Sequence, residues 1–151
     1  EISAKPGGWQ ARLLFDRYQA LNLAKPLNER PYERWPQLSL DRQFTTDGNG
    51  WTLDWKNQWS RFRHDSNIEG ERLLITPRIS YRLESSAGHV EPALRLDHAE
   101  YRLDQPVNGK NELTRSAPVA SIDSGLVFER LAGSTRSWRQ TLEPRLFLLY
   151  A

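Results

Sequence analysis

A proline followed by apolar residues at every second position recurs five times in this chain. The phrases are Pro36-Gln-Leu-Ser-Leu, Pro77-Arg-Ile-Ser-Tyr, Pro92-Ala-Leu-Arg-Leu, Pro118-Val-Ala-Ser-Ile and Pro144-Arg-Leu-Phe-Leu. A period of two is the strand period, so each segment has an apolar face and a face that is mostly charged or hydroxylic. Soluble sheets carry this pattern. So do membrane barrels, which turn the apolar face to lipid and the polar face to a wet lumen.

The chain has 151 residues, enough for one ordinary core, yet only 38% of it is hydrophobic. No stretch approaches the length of apolar sequence that a transmembrane helix requires. A transmembrane strand needs only about 10 residues, half of them polar, and is not excluded. There is no cysteine, hence no disulfide or thiolate site. The opening Glu1-Ile-Ser carries neither an initiator Met nor a signal peptide and reads as an excised or processed piece. Net charge is +2, and 17 of the 21 basic residues are Arg, spread evenly rather than clustered. That spread argues against a nucleic-acid stripe.

Seven strands are expected: 9–23, 32–46, 51–63, 72–84, 89–103, 117–131 and 137–150. Asp47-Gly-Asn-Gly, Ser85-Ser-Ala-Gly and the Ala132–Arg136 stretch carry hairpin residues. The connections 24–31, 65–71 and 104–116 read as longer polar loops. Short connections on one side and long ones on the other are how outer-membrane barrels are strung, whereas a sandwich more often shows Greek-key crossings. Trp51, Trp55, Trp59 and Phe62 also fit one face of a helix. The strand reading is preferred there because a hairpin turn precedes the segment.

Folding each hairpin so that apolar faces match gives registers. Asp41 then falls opposite Lys56, and Arg82 opposite Glu91. With a five-residue turn at 132–136, Glu129 falls opposite Arg139, Asp123 opposite Arg145, Leu126 opposite Leu142 and Ile122 opposite Leu146. Cross-strand pairs of opposite charge support these choices. One like-charge contact remains, Arg78 opposite Arg95, which needs water or an acidic neighbour such as Asp97. The strand prolines remove ladder donors and read as bulge sites that help a large sheet curve.

Chemistry is sparse. His64, His89 and His98 form no paired metal-ligand spacing. No Gly-x-Ser-x-Gly elbow is present, and the neighbours Asp123 and Ser124 point to opposite faces of a strand. No catalytic residue, metal site or cofactor is expected. The tryptophans lie mostly near turns, where interfacial girdles sit. They also suit a sugar-stacking surface. In the run Leu146–Tyr150 both faces are greasy, so on a barrel the lumen-side Phe147 and Leu149 would need cover.

Several longer phrases carry a resemblance. They are Asp65-Ser-Asn-Ile-Glu-Gly-Glu-Arg-Leu followed by Pro77-Arg-Ile-Ser-Tyr, Tyr101-Arg-Leu-Asp-Gln-Pro, Ser121-Ile-Asp-Ser-Gly-Leu-Val-Phe-Glu-Arg and Gln140-Thr-Leu-Glu-Pro-Arg-Leu-Phe-Leu-Leu-Tyr. With Pro31-Tyr-Glu-Arg-Trp-Pro-Gln-Leu they resemble the lipopolysaccharide-assembly outer-membrane protein family LptD, also called OstA or Imp. The resemblance implies a large transmembrane barrel in the Gram-negative outer membrane. Such a barrel takes lipopolysaccharide from a periplasmic bridge protein and delivers it to the outer leaflet, with an LptE-type lipoprotein plug held inside. The family's periplasmic jelly-roll domain, its cysteines and its terminal strands have no counterpart here. Residues 1–151 are therefore expected to be part of a single barrel domain, a middle portion of the wall with no separate second domain.

The fold expected is all-β: antiparallel, up-and-down transmembrane barrel strands forming an incomplete wall. Asp41, Lys56, Arg78, Arg82, Glu91, Arg95, Asp97, Asp123, Glu129, Arg139 and Arg145 are expected to line the lumen. Leu38, Leu40, Ile79, Leu94, Leu96, Ile122, Leu126, Leu142 and Leu146 are expected to face outward, toward outer-membrane lipid. The reading from another class is a soluble β-sandwich that binds carbohydrate.

Overall fold

The alternating segments become strands. The computed structural model describes residues 1–18, 26–46, 48, 50–132 and 138–151. Its strands are β1 (Ile2–Ala4), β2 (Gln10–Asp16), β3 (Glu33–Thr45), β4 (Trp51–Arg63), β5 (Gly70–Tyr81), β6 (Leu83–Ser85), β7 (Gly88–Val107), β8 (Lys110–Leu126), β9 (Phe128–Ala132), β10 (Trp138–Leu142) and β11 (Arg145–Tyr150). The helical pieces among the described residues are single 3-10 turns, Pro6–Gly8 and Leu27–Glu29.

The main sheet runs β1-β2-β3-β4-β5-β7-β8-β11, with β6 paired to β7; β9 and β10 form a two-stranded sheet. The β1–β2, β2–β3, β6–β7, β8–β11 and β9–β10 pairings are antiparallel. β1 and β11 lie at the two ends of the path and are not paired with each other, so the described sheet is open rather than a closed barrel. The tryptophan-rich segment is strand β4, not a helix: it has a hydrogen-bonded neighbour on each side, β3 and β5. The first expected strand is described over Gln10–Asp16; residues 19–25 lie outside the described part.

The chain divides into two compact units. One comprises Glu1–Gln43, Asp54–Pro77 and Leu96–Ala117; the other comprises Phe44–Leu53, Arg78–Arg95 and Pro118–Ala151. In the first unit Gln37 and Ser60 are buried, and in the second Ser80, Ala93 and Val119. Four of the five are small or polar, and the fifth is Val119. Large aliphatic side chains do not fill an interior. The nine expected to face outward are all exposed, from 39% for Leu40 to 65% for Leu142. A sandwich needs large residues from two inner faces to interdigitate and exclude water. The described residues contain no such layer.

Two expected hairpins keep their registers. Ser85 pairs with Gly88, Glu84 with His89 and Leu83 with Val90, which carries Arg82 to Glu91. In the β3–β4 hairpin the Thr46 amide bonds the Trp51 carbonyl at 3.1 Å. In the first unit Gln43 donates to Asp54 at 2.8 Å and Asn57 to the Leu40 carbonyl at 3.2 Å. These contacts belong to the register that sets Asp41 opposite Lys56. Asp47 and Asn49 of that turn lie outside the described residues.

Two expectations are corrected. Residues 104–116 are not a long loop: β7 and β8 run on through them and turn at Asn108-Gly109. Both turn residues have positive φ, 51° and 77°, the signature of a two-residue hairpin. The polar composition of the stretch, which reads as loop, belongs to a hairpin with solvated faces.

The last hairpin register is also different. Ala132 pairs with Trp138, Glu129 with Thr141 and Phe128 with Leu142. Asp123 pairs with Phe147 and Ile122 with Leu148. The expected register is displaced by two residues, an even number, so every side chain keeps its face while its partner changes. The chain is also interrupted at Val127 and at Glu143-Pro144, dividing each expected strand into two. Residues 133–137 of the turn lie outside the described part.

The prolines are not all alike. The β2–β3 register shifts between Leu14 and Asp16, where Trp35 and Pro36 together oppose Phe15, a bulge at the proline. Pro144 separates β10 from β11, and its carbonyl accepts the Leu126 amide at 3.0 Å. Pro77, Pro92 and Pro118 lie inside β5, β7 and β8.

Candidate functional site

The polar faces of β5, β7, β8 and β11 carry most of the charge that the sequence singled out, and the networks around Glu91 and Asp123 lie within the second unit. Alternate residues share a face. Glu91 is the hub of one network. It accepts from Arg78 Nη2 at 2.8 Å and from Arg82 Nη1 at 3.4 Å. Arg78 also donates to Ser80 Oγ at 3.0 Å, and Arg82 to Glu84 Oε2 at 3.0 Å. The acidic neighbour that Arg78 was expected to need opposite Arg95 is Glu91, rather than the suggested Asp97. Arg95 and Asp97 likewise have partners.

A second network crosses β8 and β11. Arg145 grips Asp123 with two donors, Nε at 2.8 Å from Oδ1 and Nη2 on Oδ2. The two residues are not directly opposite, because Asp123 faces Phe147. A diagonal neighbour two positions along is within reach of a long guanidinium. Glu129 and Arg139 are likewise diagonal, at 3.8 Å. The sequence argument chose the right partners in the wrong register for this reason. Asp41 and Lys56 face each other across β3 and β4 but form no ion pair among the described residues.

One member of the network was missed. His89 Nε2 lies 4.0 Å from Asp123 Oδ1. Its ring is laid against the β8 backbone at Gly125, where a Cβ would stand 2.7 Å from His89 Cε1. A glycine inside a strand is a signal of close approach, but which group approaches is a tertiary fact.

Charges are matched here, three arginines (Arg78, Arg82, Arg145) against three carboxylates (Glu84, Glu91, Asp123). The cluster is a hydrated, self-neutralised surface rather than an open anion trap. We expect Arg78→Met to cost about 1 kcal/mol, the worth of a hydrogen bond to a partly covered carboxylate. Arg145→Met, at a more exposed guanidinium, should cost less, and high salt should erase its effect first. Denaturant titrations of the two variants in low and high salt give the order.

The opposite face is apolar. Along β5 every second residue from Leu73 to Tyr81 is apolar or proline, and the next in the series is Glu71. Along β7 the series Val90, Pro92, Leu94, Leu96 gives way to His98 and Glu100. Leu73 to Tyr81 spans roughly 26 Å along a strand, or about 20 Å at a strand tilt of ~40°. Within the second unit Trp51 packs on Tyr81, with ring centroids 4.7 Å apart, beside the hairpin turn. Ile79, Leu94, Ile122 and Leu148 line an open apolar depression next to them.

The family described as LPS transport system D matches residues 1–151. Relatives named LPS-assembly protein LptD are similar along nearly the whole chain. The Ralstonia nicotianae protein is 35% identical over 153 residues, covering 95% of this chain and 19% of the relative. The Methylococcus capsulatus protein is 37% identical over 142 residues, covering 92% and 14%. The Hahella chejuensis protein is 33% identical over 163 residues, covering 100% and 20%. The chain spans about a fifth or less of the length of these relatives.

Proposed function

Because the chain belongs to the LPS transport system D family, LptD, we propose that it forms part of the wall of an outer-membrane barrel that assembles lipopolysaccharide into the outer leaflet. Its role is structural and solvating rather than chemical. The leucine-rich face meets hydrocarbon, and the face carrying Arg78, Arg82, Glu91, Asp123 and Arg145 lines a wet lumen. The observation that carries this reading is the exposure of the leucines and isoleucines on the apolar face of β7, β8 and β11, Leu94 at 62% and Leu146 at 57%, while Ser80, Ala93 and Val119 are buried on the other. In water, exposed apolar surface of that extent is an aggregation liability; in a bilayer it is the required surface. At a strand tilt of ~40° the apolar series along β5 covers about 20 Å of the roughly 25 Å that barrel walls present to lipid.

Residues 1–151 then belong to one barrel domain. Phe147 and Leu149, greasy residues on the lumen side, are covered by an LptE-type lipoprotein plug. The lipopolysaccharide cargo and its periplasmic bridge protein are partners of the whole protein. The soluble carbohydrate-binding sandwich is disfavoured by the absence of a packed apolar layer among the described residues.

Cysteine substitution tests the reading in the full-length protein in native membranes. Leu94→Cys should resist a water-soluble maleimide and react with a lipid-soluble one. Ser121→Cys, on the polar face, should react with the water-soluble reagent. Equal labelling of both by the water-soluble reagent would remove the lipid-facing assignment.

A further inference from the structure

The clearest built device outside the charged face lies in the first unit, where the connector before β3 meets the connector between β4 and β5. His64 stands at the junction. Its Nδ1 receives the backbone amides of Ser66 at 3.1 Å and Asn67 at 3.0 Å. Its Nε2 is 3.0 Å from the carbonyl oxygen of Arg30. An amide N–H can only donate and a carbonyl can only accept. Asn67 Nδ2, which donates to the Asn28 carbonyl, also lies 3.2 Å from Nε2; the two backbone amides that converge on Nδ1 assign the tautomer, with Nδ1 the bare acceptor and Nε2 carrying the proton. The ring must be neutral to make these three bonds.

Further bonds join the same two connectors. Asn67 Nδ2 donates to the Asn28 carbonyl at 2.9 Å, and the Tyr32 hydroxyl to the Ile68 carbonyl at 3.0 Å. The Tyr32 ring lies 4.7 Å from the His64 ring. The His64 amide is held by Glu69 at 3.2 Å. We propose that His64 is an acid-released clasp between the 26–32 and 64–69 connectors. Protonation puts a hydrogen on Nδ1, where two N–H donors already converge. The imidazolium has no acceptor to offer, so the ring must turn away and the Ser66 and Asn67 amides lose their partner. The clasp is intact while the ring is neutral and is lost as pH falls.

Among the described residues, the ionisable groups around the ring are Tyr18, Arg30, Glu33, Arg63, Asp65 and Glu69, with Tyr32 stacked on it. Arg30 and Arg63 are cationic, and Glu33, Asp65 and Glu69 are carboxylates. Neither set changes the geometric fact that two donors face Nδ1. Histidine is the side chain that changes charge on mild acidification.

Hydrogen exchange of the full-length protein in bilayers tests this at about pH 8 and about pH 5, as protection factors corrected for the intrinsic pH dependence of exchange. Protection of the Ser66 and Asn67 amides should fall at least about tenfold at the lower pH, as expected for the loss of one hydrogen bond each. Amides in the middle of β4 should not change. His64→Asn supplies a carbonyl acceptor that does not titrate, and should abolish the pH dependence. If that variant does not assemble, the pH comparison on the native protein decides alone. Equal protection at both pH values, an equal loss in β4, or retention of the pH dependence in His64→Asn would each overturn the proposal.

Discussion

Leu148→Arg should cost about 2–4 kcal/mol, and Phe147→Arg, one residue away, less than about 1 kcal/mol. Both side chains are apolar, both are more than half exposed, and both lie in β11. Only their faces differ. Leu148 is paired with Ile122 on the leucine-rich side, and Phe147 with Asp123 on the charged side. A guanidinium placed in hydrocarbon loses its hydration, while one placed beside Asp123 in the lumen of a barrel refolded without its plug keeps water and gains a carboxylate. In a soluble protein with a buried β11 both substitutions would be costly; with a solvent-exposed β11 neither would be. Urea titration of the full-length variants refolded into bilayers separates the three cases. Equal costs at the two positions would remove the transmembrane reading. Leu94→Arg on β7 should behave like Leu148→Arg.

A second large effect is expected at Gly88. Its φ is +151°, and a Cβ built there would overlap the carbonyl oxygen of Gly125 and come within 2.9 Å of Leu126 Cα. Backbone atoms cannot swing aside as a side chain can. Gly88→Ala should therefore push β7 from β8 or force the turn to rebuild, at a cost of roughly 2–4 kcal/mol from overpacking and backbone strain. Gly125→Ala meets the His89 ring instead, which can rotate, so its cost should be smaller and its chief effect should be to displace His89 from Asp123. Thermal unfolding of the two variants should rank them in that order. A Gly88→Ala protein as stable as the parent would mean that the hairpin tolerates a wider approach of these strands.

The charged face was readable as a set of residues but not as a set of contacts. Arg82 with Glu91 followed from one hairpin, because Ser85-Ser-Ala-Gly is short and leaves one register that matches faces. Asp123 with Arg145 was right as a pair and wrong as an opposition. A two-residue slip changes no face, and a guanidinium reaches diagonally, so charge pairing could not separate the two registers. Asn108-Gly109 was a hairpin signal in plain view, outweighed by the polarity of its neighbours. His89 had only an indirect signal, a strand glycine that marks a close approach without naming what approaches: its place depends on Gly125, thirty-six positions along the chain.

What the sequence by itself determined is the period and the parity. Alternation of apolar and polar residues allows only strands with two unlike faces, and the short turns force antiparallel neighbours. Those local constraints act within a few residues, which is why the all-β antiparallel sheet and the exposed leucines on one face were legible from the chain alone. Only the tertiary structure decided the offset of the last hairpin, the partner of Arg78 and the closure of two connectors around a neutral His64. Each of these is a choice among arrangements that local pattern leaves nearly equal in energy. The choice is made by contacts between residues far apart in the chain, whose spacing is set by the backbones of the strands around them.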